Sequence, residues 1–226
     1  MTLQDFLNTM KISCSFLERE GYKLREVNTS VNRNFWYEKH TEIEGFRISF
    51  GWTQYGDEFH VKGLMALKRF NIIEKHLQKV LGGDLIDYYT IYKSPSIEYI
   101  PKELTYEATE NNIHFVLKNT VEVNLFGFFV KEFYKNAVLI FFNKYSQFEQ
   151  TRKDYSLLER GKTASLILNT GTDIFYRELV IKHELNPNTA NEFVSMVINE
   201  LEPMKSNSTF SKVLEILKKI QSNLYH

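Results

Sequence analysis

Phe46-Arg47-Ile48-Ser49-Phe50-Gly51-Trp52-Thr53, then Tyr55-Gly56-Asp57-Glu58, then Phe59-His60-Val61-Lys62-Gly63-Leu64-Met65, is the stretch that decides the fold class. Side chains along a strand point alternately to its two faces, so Phe46, Ile48, Phe50 and Trp52 mark the buried face of a half-buried strand. Arg47, Ser49, Gly51 and Thr53 mark its other face. Tyr55 to Glu58 reads as a tight turn, and Phe59, Val61, Gly63 and Met65 read as the buried face of an antiparallel return strand.

The rhythm on either side is different. Upstream, Thr2 with Asp5 starts a helix that carries Leu3, Phe6, Leu7, Met10 and Leu17 on one face and stops at Gly21. Phe35 and Tyr37 flank Trp36 in a short strand. Downstream, Phe70 before Asn71 and Glu74 reads as a staple and capping box, opening a helix that ends at Gly82-Gly83. Extended pieces are expected at Tyr88 to Tyr92, Ile97 to Ile100, Leu104 to Tyr106 and Ile113 to Leu117, punctuated by Pro95 and Pro101.

From Thr120 onward the apolar residues recur every three or four positions. Leu125, Phe126, Phe129, Val130, Phe133, Ala137, Ile140 and Phe141 form a wide stripe on one long helix. Four more helices follow: one capped by Ser156 with Glu159, one from Asp173 to Leu185, one from Asn188 and one from Ser208. The expected fold is α+β, with a sheet-bearing part over 1–118 and a helical part over 119–226. No Gly/Ser/Pro-rich linker separates them, so a single compact unit is expected.

Composition narrows the function. In 226 residues, 28 Lys plus Arg balance 28 Asp plus Glu. Nucleic-acid binders draw much of their affinity from a basic face that neutralises phosphates, so no nucleic-acid partner is expected. One cysteine, Cys14, allows no internal disulfide, and its place on the buried face of a helix marks an inert thiol. The first twenty residues are polar and helical rather than a secretion signal, and no apolar run reaches the length of a membrane span. A cytoplasmic protein without membrane attachment is expected.

Motifs with chemical meaning have plainer explanations here. Tyr55-Gly56-Asp57-Glu58-Phe59 resembles the GGDEF signature of diguanylate cyclases, but the first glycine is a tyrosine and Val27 to Gly45 lacks the upstream aspartate that a metal pair needs. Gly161-Lys162-Thr163 matches the end of a phosphate-binding loop, yet Ser156 stands where the leading glycine belongs. No histidine pair has helical metal-binding spacing, and Asp173 with Arg177 and Glu178 with Lys182 read as surface ion pairs. Hence no catalytic, cofactor or metal residues are assigned and no cofactor is expected.

What stands above background is aromatic: 18 Phe, 13 Tyr and 2 Trp. Phe50, Trp52 and Phe59 fall in phase with the core. Trp36 and Tyr55 fall off phase or at the turn and become candidates for a recognition surface. His60 points to the outer sheet face, with Arg47 and Lys62 in prospect beside it. Trp36, Arg47, Tyr55 and His60 are therefore the expected partner-binding residues.

Leu17-Glu18-Arg19-Glu20-Gly21-Tyr22, Asn34-Phe35-Trp36, the Phe-rich hairpin and Phe141-Phe142-Asn143-Lys144-Tyr145 together resemble a family of small bacterial proteins, the domain of unknown function numbered 4304. The chain departs from it in an extended segment from Asp84 to Leu117 and a longer helical tail. Some members lie near toxin and immunity loci, so the resemblance implies a protein-binding role. A non-enzymatic interaction protein of immunity or adaptor type with a protein partner is the expected function. The alternatives are an enzyme with a dispersed hydrolase or nuclease site built from Asp57, Glu58 and His60, and a carrier that holds an apolar ligand in its Phe-rich interior.

Overall fold

A computed structural model describes residues 1–28, 33–85, 88–109, 112–156 and 174–225. The fold is α+β, with a seven-stranded antiparallel sheet and a helical C-terminal part. Strands β1 (Lys23–Asn28), β2 (Arg33–His40), β3 (Glu44–Tyr55), β4 (Glu58–Phe70), β7 (Asn112–Leu117) and β6 (Tyr106–Thr109) lie side by side in that order. β5 (Ile91–Lys93) pairs with β4 off this path.

The residues group into two compact units. The first comprises Met1–Thr41, Phe46–Leu67 and Lys93–Lys144. The second comprises Glu42–Gly45, Lys68–Tyr92 and Tyr145–His226. The 118/119 boundary read from the sequence thus runs through the first unit.

In the first unit, helix α1 (Leu3–Ser13) starts as expected, with Thr2 Oγ1 accepting from the Asp5 amide at 3.1 Å. A short second turn, α2 (Phe16–Arg19), replaces the remainder of the single helix expected there, and Gly21 at φ +87° ends it. Helix α4 (Thr120–Phe133) begins with a side-chain cap. Asn119 Oδ1 accepts from the Glu122 amide at 3.0 Å, and Glu122 accepts from the Lys118 amide.

The helix then passes through a π turn, Tyr134–Val138, into α5 (Leu139–Lys144). A π turn adds a residue and moves the buried stripe round by one position. Accordingly Val138, Phe141 and Phe142 are buried and Ile140 is 64% exposed, against the continuous stripe expected from the sequence.

The inner sheet face packs on α1 and α4 ring to ring. Phe6 stacks on Phe59 at 4.1 Å, and Phe126 meets both Phe50 and Phe115 edge-on at 5.2 Å. Helices α1 and α4 approach so closely that a Cβ at Gly127 would lie 2.3 Å from Ser13 Cβ. Cys14 is fully buried, and burial pushes its thiol up to about 12, so it stays protonated at neutral pH.

The second unit contains α3 (Asn71–Leu81), residues 91 and 92 of β5, α6 (Phe148–Ser156), α7 (Ile174–Leu185), α8 (Pro187–Leu201) and α9 (Ser208–Leu224). Its core joins Ile73 and Leu77 of α3 to Leu179 and Val180 of α7, Phe193 and Val197 of α8, and Leu214 and Leu217 of α9.

The capping box at Asn71 and Glu74 does not form. The Asn71 amide donates to the Glu42 carbonyl at 2.7 Å, and its oxygen accepts from Arg69 Nε. Glu74 is fully buried and takes Arg177 on both oxygens, at 2.9 and 3.1 Å. Arg177 is therefore a core residue rather than half of a surface pair. Glu178 and Lys182 stand in the expected i, i+4 relation, 3.8 Å apart. Ile97–Tyr99 is a 3₁₀ turn capped by Ser96 instead of an extended piece. The segment carrying Gly161-Lys162-Thr163, the Glu159 end of the Ser156 cap and Asp173 lie outside the described residues.

Candidate functional site

The outer face of the sheet in the first unit gathers the polar chemistry. On β2, Phe35 and Tyr37 turn inward, so Asn34, Trp36 and Glu38 turn outward. On β3, Ile48, Phe50 and Trp52 turn inward, and Arg47, Ser49 and Gly51 turn outward.

Strand β4 obeys this alternation only as far as Val61. Gly63 at φ +68° donates its amide to Asn112 Oδ1 at 3.1 Å and resets the phase. Leu64 and Ala66 then take the inner face, and Met65, expected inside, lines a hollow on the outer one. This hollow, about 340 Å³, is bounded by Asn34, Ser49, Gly51, Lys62, Gly63 and Asn112 besides Met65.

Trp36 and Arg47 lie together, as parts of one clamp. The Arg47 guanidinium lies 3.6 Å from the centre of the Trp36 ring, and the Arg25 guanidinium 4.7 Å from it. Glu38 holds both cations. Arg47 reaches Glu38 Oε1 through Nε at 2.8 Å and Nη2 at 2.6 Å. Arg25 Nη2 donates to Oε1 at 3.4 Å, while its Nε lies 2.9 Å from Oε2 in an ion-pair contact off the hydrogen-bond angle. Glu38 and Arg47 are each 5% exposed, and Trp36 is half-buried. Burying these charges is tolerable because each has its counter-charge, and the planar guanidinium suits both the carboxylate and the indole face.

Tyr55 and His60 form a second cluster with their own partners. The Tyr55 ring, 62% exposed, meets the His60 imidazole edge-on at 4.8 Å. His60 Nδ1 faces His114 Nε2 at 3.0 Å across β4 and β7. Beyond the outer nitrogens stand two carboxylates. Glu58 Oε2 is 3.7 Å from His60 Nε2, and Glu107 Oε2 is 3.9 Å from His114 Nδ1. Glu58 also pairs with Lys118 at 2.9 Å. Burial first, then His60 and Lys62, holds His114 below the ordinary imidazole range, with Glu107 opposing.

His114 is the residue that sequence reading missed. Its strand shows the usual alternation, but its partner lies 54 residues away, and no spacing rule spans that gap. The register that makes the pair, Lys62 opposite His114 and His60 opposite Val116, arises only when the sheet assembles.

The carboxylates considered for catalysis, Asp57 and Glu58, both stand near Lys118. Asp57 stands exposed at the hairpin tip and Glu58 is committed to Lys118. Among the described residues, no group of three or more His, Cys, Asp or Glu converges as a metal site, and no helix is long and apolar enough to cross a membrane. No family model, no curated protein and no solved structure matches the chain.

Proposed function

We propose that this chain is a non-catalytic interaction protein of immunity or adaptor type, which binds a protein partner through the outer face of its sheet. One observation carries the reading: an indole clamped by two guanidinium groups beside an open hollow, held by a buried carboxylate. Aromatic and arginine side chains dominate the energetics of protein interfaces, and here their rotamers are fixed before any partner arrives. Lys62 is the charged residue lining the hollow, so the complementary surface is an acidic or carbonyl-rich segment. The aromatic residues that favoured a carrier are engaged in ring-to-ring core packing. The resemblance to domain of unknown function 4304, with its protein-binding implication, and a cytoplasmic setting belong to the same proposal.

The experiment is affinity capture from the native host, with the wild-type chain beside Trp36→Ala and Lys62→Glu. Under this reading a stoichiometric partner is retained by the wild type and lost from both variants, with the melting temperature of Lys62→Glu, whose side chain is exposed, staying near that of the wild type. Equal retention by all three chains refutes the docking face.

A further inference from the structure

We propose that His60 Nδ1 and His114 Nε2 together bind one divalent transition-metal ion, of the Cu(II) or Ni(II) class, on the outer sheet face. The carboxylates at the two ends of the pair supply the reason. Glu58 Oε2 and Glu107 Oε2 stand 3.7 and 3.9 Å from the outer ring nitrogens, the side on which carboxylates stand behind metal-bound imidazoles. The inner nitrogens, His60 Nδ1 and His114 Nε2, face each other at 3.0 Å. A hydrogen bond between one protonated and one bare nitrogen satisfies this contact, and so does one metal ion held by both.

The geometry also admits a metal. Two imidazoles bound at ~2.05 Å with nitrogens 3.0 Å apart subtend about 94° at the ion, the cis angle of a square-planar or octahedral centre. A straight N–H···N bond of this length would set the ring centroids about 5.3 Å apart, and cis ligation of one ion about 4.7 Å. The observed separation is 4.9 Å, between the two values, so cis ligation asks for little movement of the rings. Glu58 and Glu107 offset Lys62 and Lys118, and Asp57 adds a further negative charge near Lys118, so a dication is not repelled on balance. Tyr55 covers one side of His60. Two protein nitrogens leave the remaining coordination positions to water. Spacing along the sequence could not show this pair because its members come from different strands.

Metal affinity is read independently of partner capture. Untagged full-length protein is titrated with Cu(II) or Ni(II) by calorimetry at pH 7.5, and the 1:1 Cu(II) complex is examined by electron paramagnetic resonance. The expected results are one site with Kd below about 100 µM, superhyperfine coupling from two imidazole nitrogens, and release as acid protonates the rings. His60→Gln and His114→Gln each weaken binding by at least about tenfold, whereas His183→Gln leaves it unchanged. Binding unaltered in both glutamine variants, a spectrum with a single nitrogen, or no binding by the wild type overturns the site. Because the spectrum of the wild type itself counts the nitrogens, the result does not depend on how the variants fold.

Discussion

Replacing Glu38 by Gln removes the charge that organises the outer face while keeping its shape. Wild-type Glu38 takes Arg47 at 2.8 and 2.6 Å and Arg25 at 2.9 Å. The amide offers one acceptor oxygen and turns an NH₂ group towards a guanidinium. Arg47, 5% exposed, then stays buried without the Glu38 charge, and breaking a buried pair costs about 3–5 kcal/mol. The Arg25 side chain is 39% exposed and regains water, so Arg25→Gln costs no more than about 1 kcal/mol. Urea unfolding reads the difference. A Trp52→Phe parent leaves Trp36 as the single emitting indole, so one signal reports both unfolding and the clamp. Glu38→Gln is expected to lower the stability of this parent by about 3 kcal/mol and shift the native emission of Trp36. A loss under about 1 kcal/mol, or an equal loss from Arg25→Gln, would refute the claim that a buried carboxylate fixes the clamp.

Three further outcomes follow from the packing and the charges. Gly127→Ala should destabilise the chain by about 1–3 kcal/mol, because the new Cβ meets Ser13 Cβ; adding Ser13→Gly should recover part of the loss in the same thermal melt. Arg177→Met should cost about 3–5 kcal/mol by stranding the Glu74 carboxylate, whereas Glu74→Leu with Arg177→Met should cost less than Arg177→Met alone; additive losses on denaturation would count against the pair. His114 is held below the ordinary imidazole range in the folded state, so the unfolded chain binds its proton more readily. The stability from neutral His114 is therefore present above about pH 6.5 and is lost as pH falls from there through the depressed folded value. His114→Gln should flatten the decline in melting temperature between pH 7 and pH 5, and an unchanged slope would contradict this.

Features were legible in the sequence where their cause is local. The Thr2 cap, the Gly82-Gly83 stop and the inward positions of Phe50, Trp52 and Phe59 depend on residues a few positions apart. Reading failed where a distant group competed for the same atoms. The Asn71 side chain was drawn to the Glu42 carbonyl and Glu74 to Arg177, so the capping box had no members left. At Gly63 and at the π turn after Phe133, one residue of slip reversed which side chains face inward; alternation read straight through placed Met65 inside and Ile140 in the buried stripe.

The same division holds for the candidate site. Trp36, Arg47, Tyr55 and His60 are visible in the sequence as residues out of step with the core, because a side chain's face follows from its position along a strand. Tertiary structure decided their grouping: Trp36 with Arg47 under Glu38, and Tyr55 with His60 against His114. Strand register sets which side chains meet across a sheet, and register is a property of paired strands that neither strand's sequence carries alone.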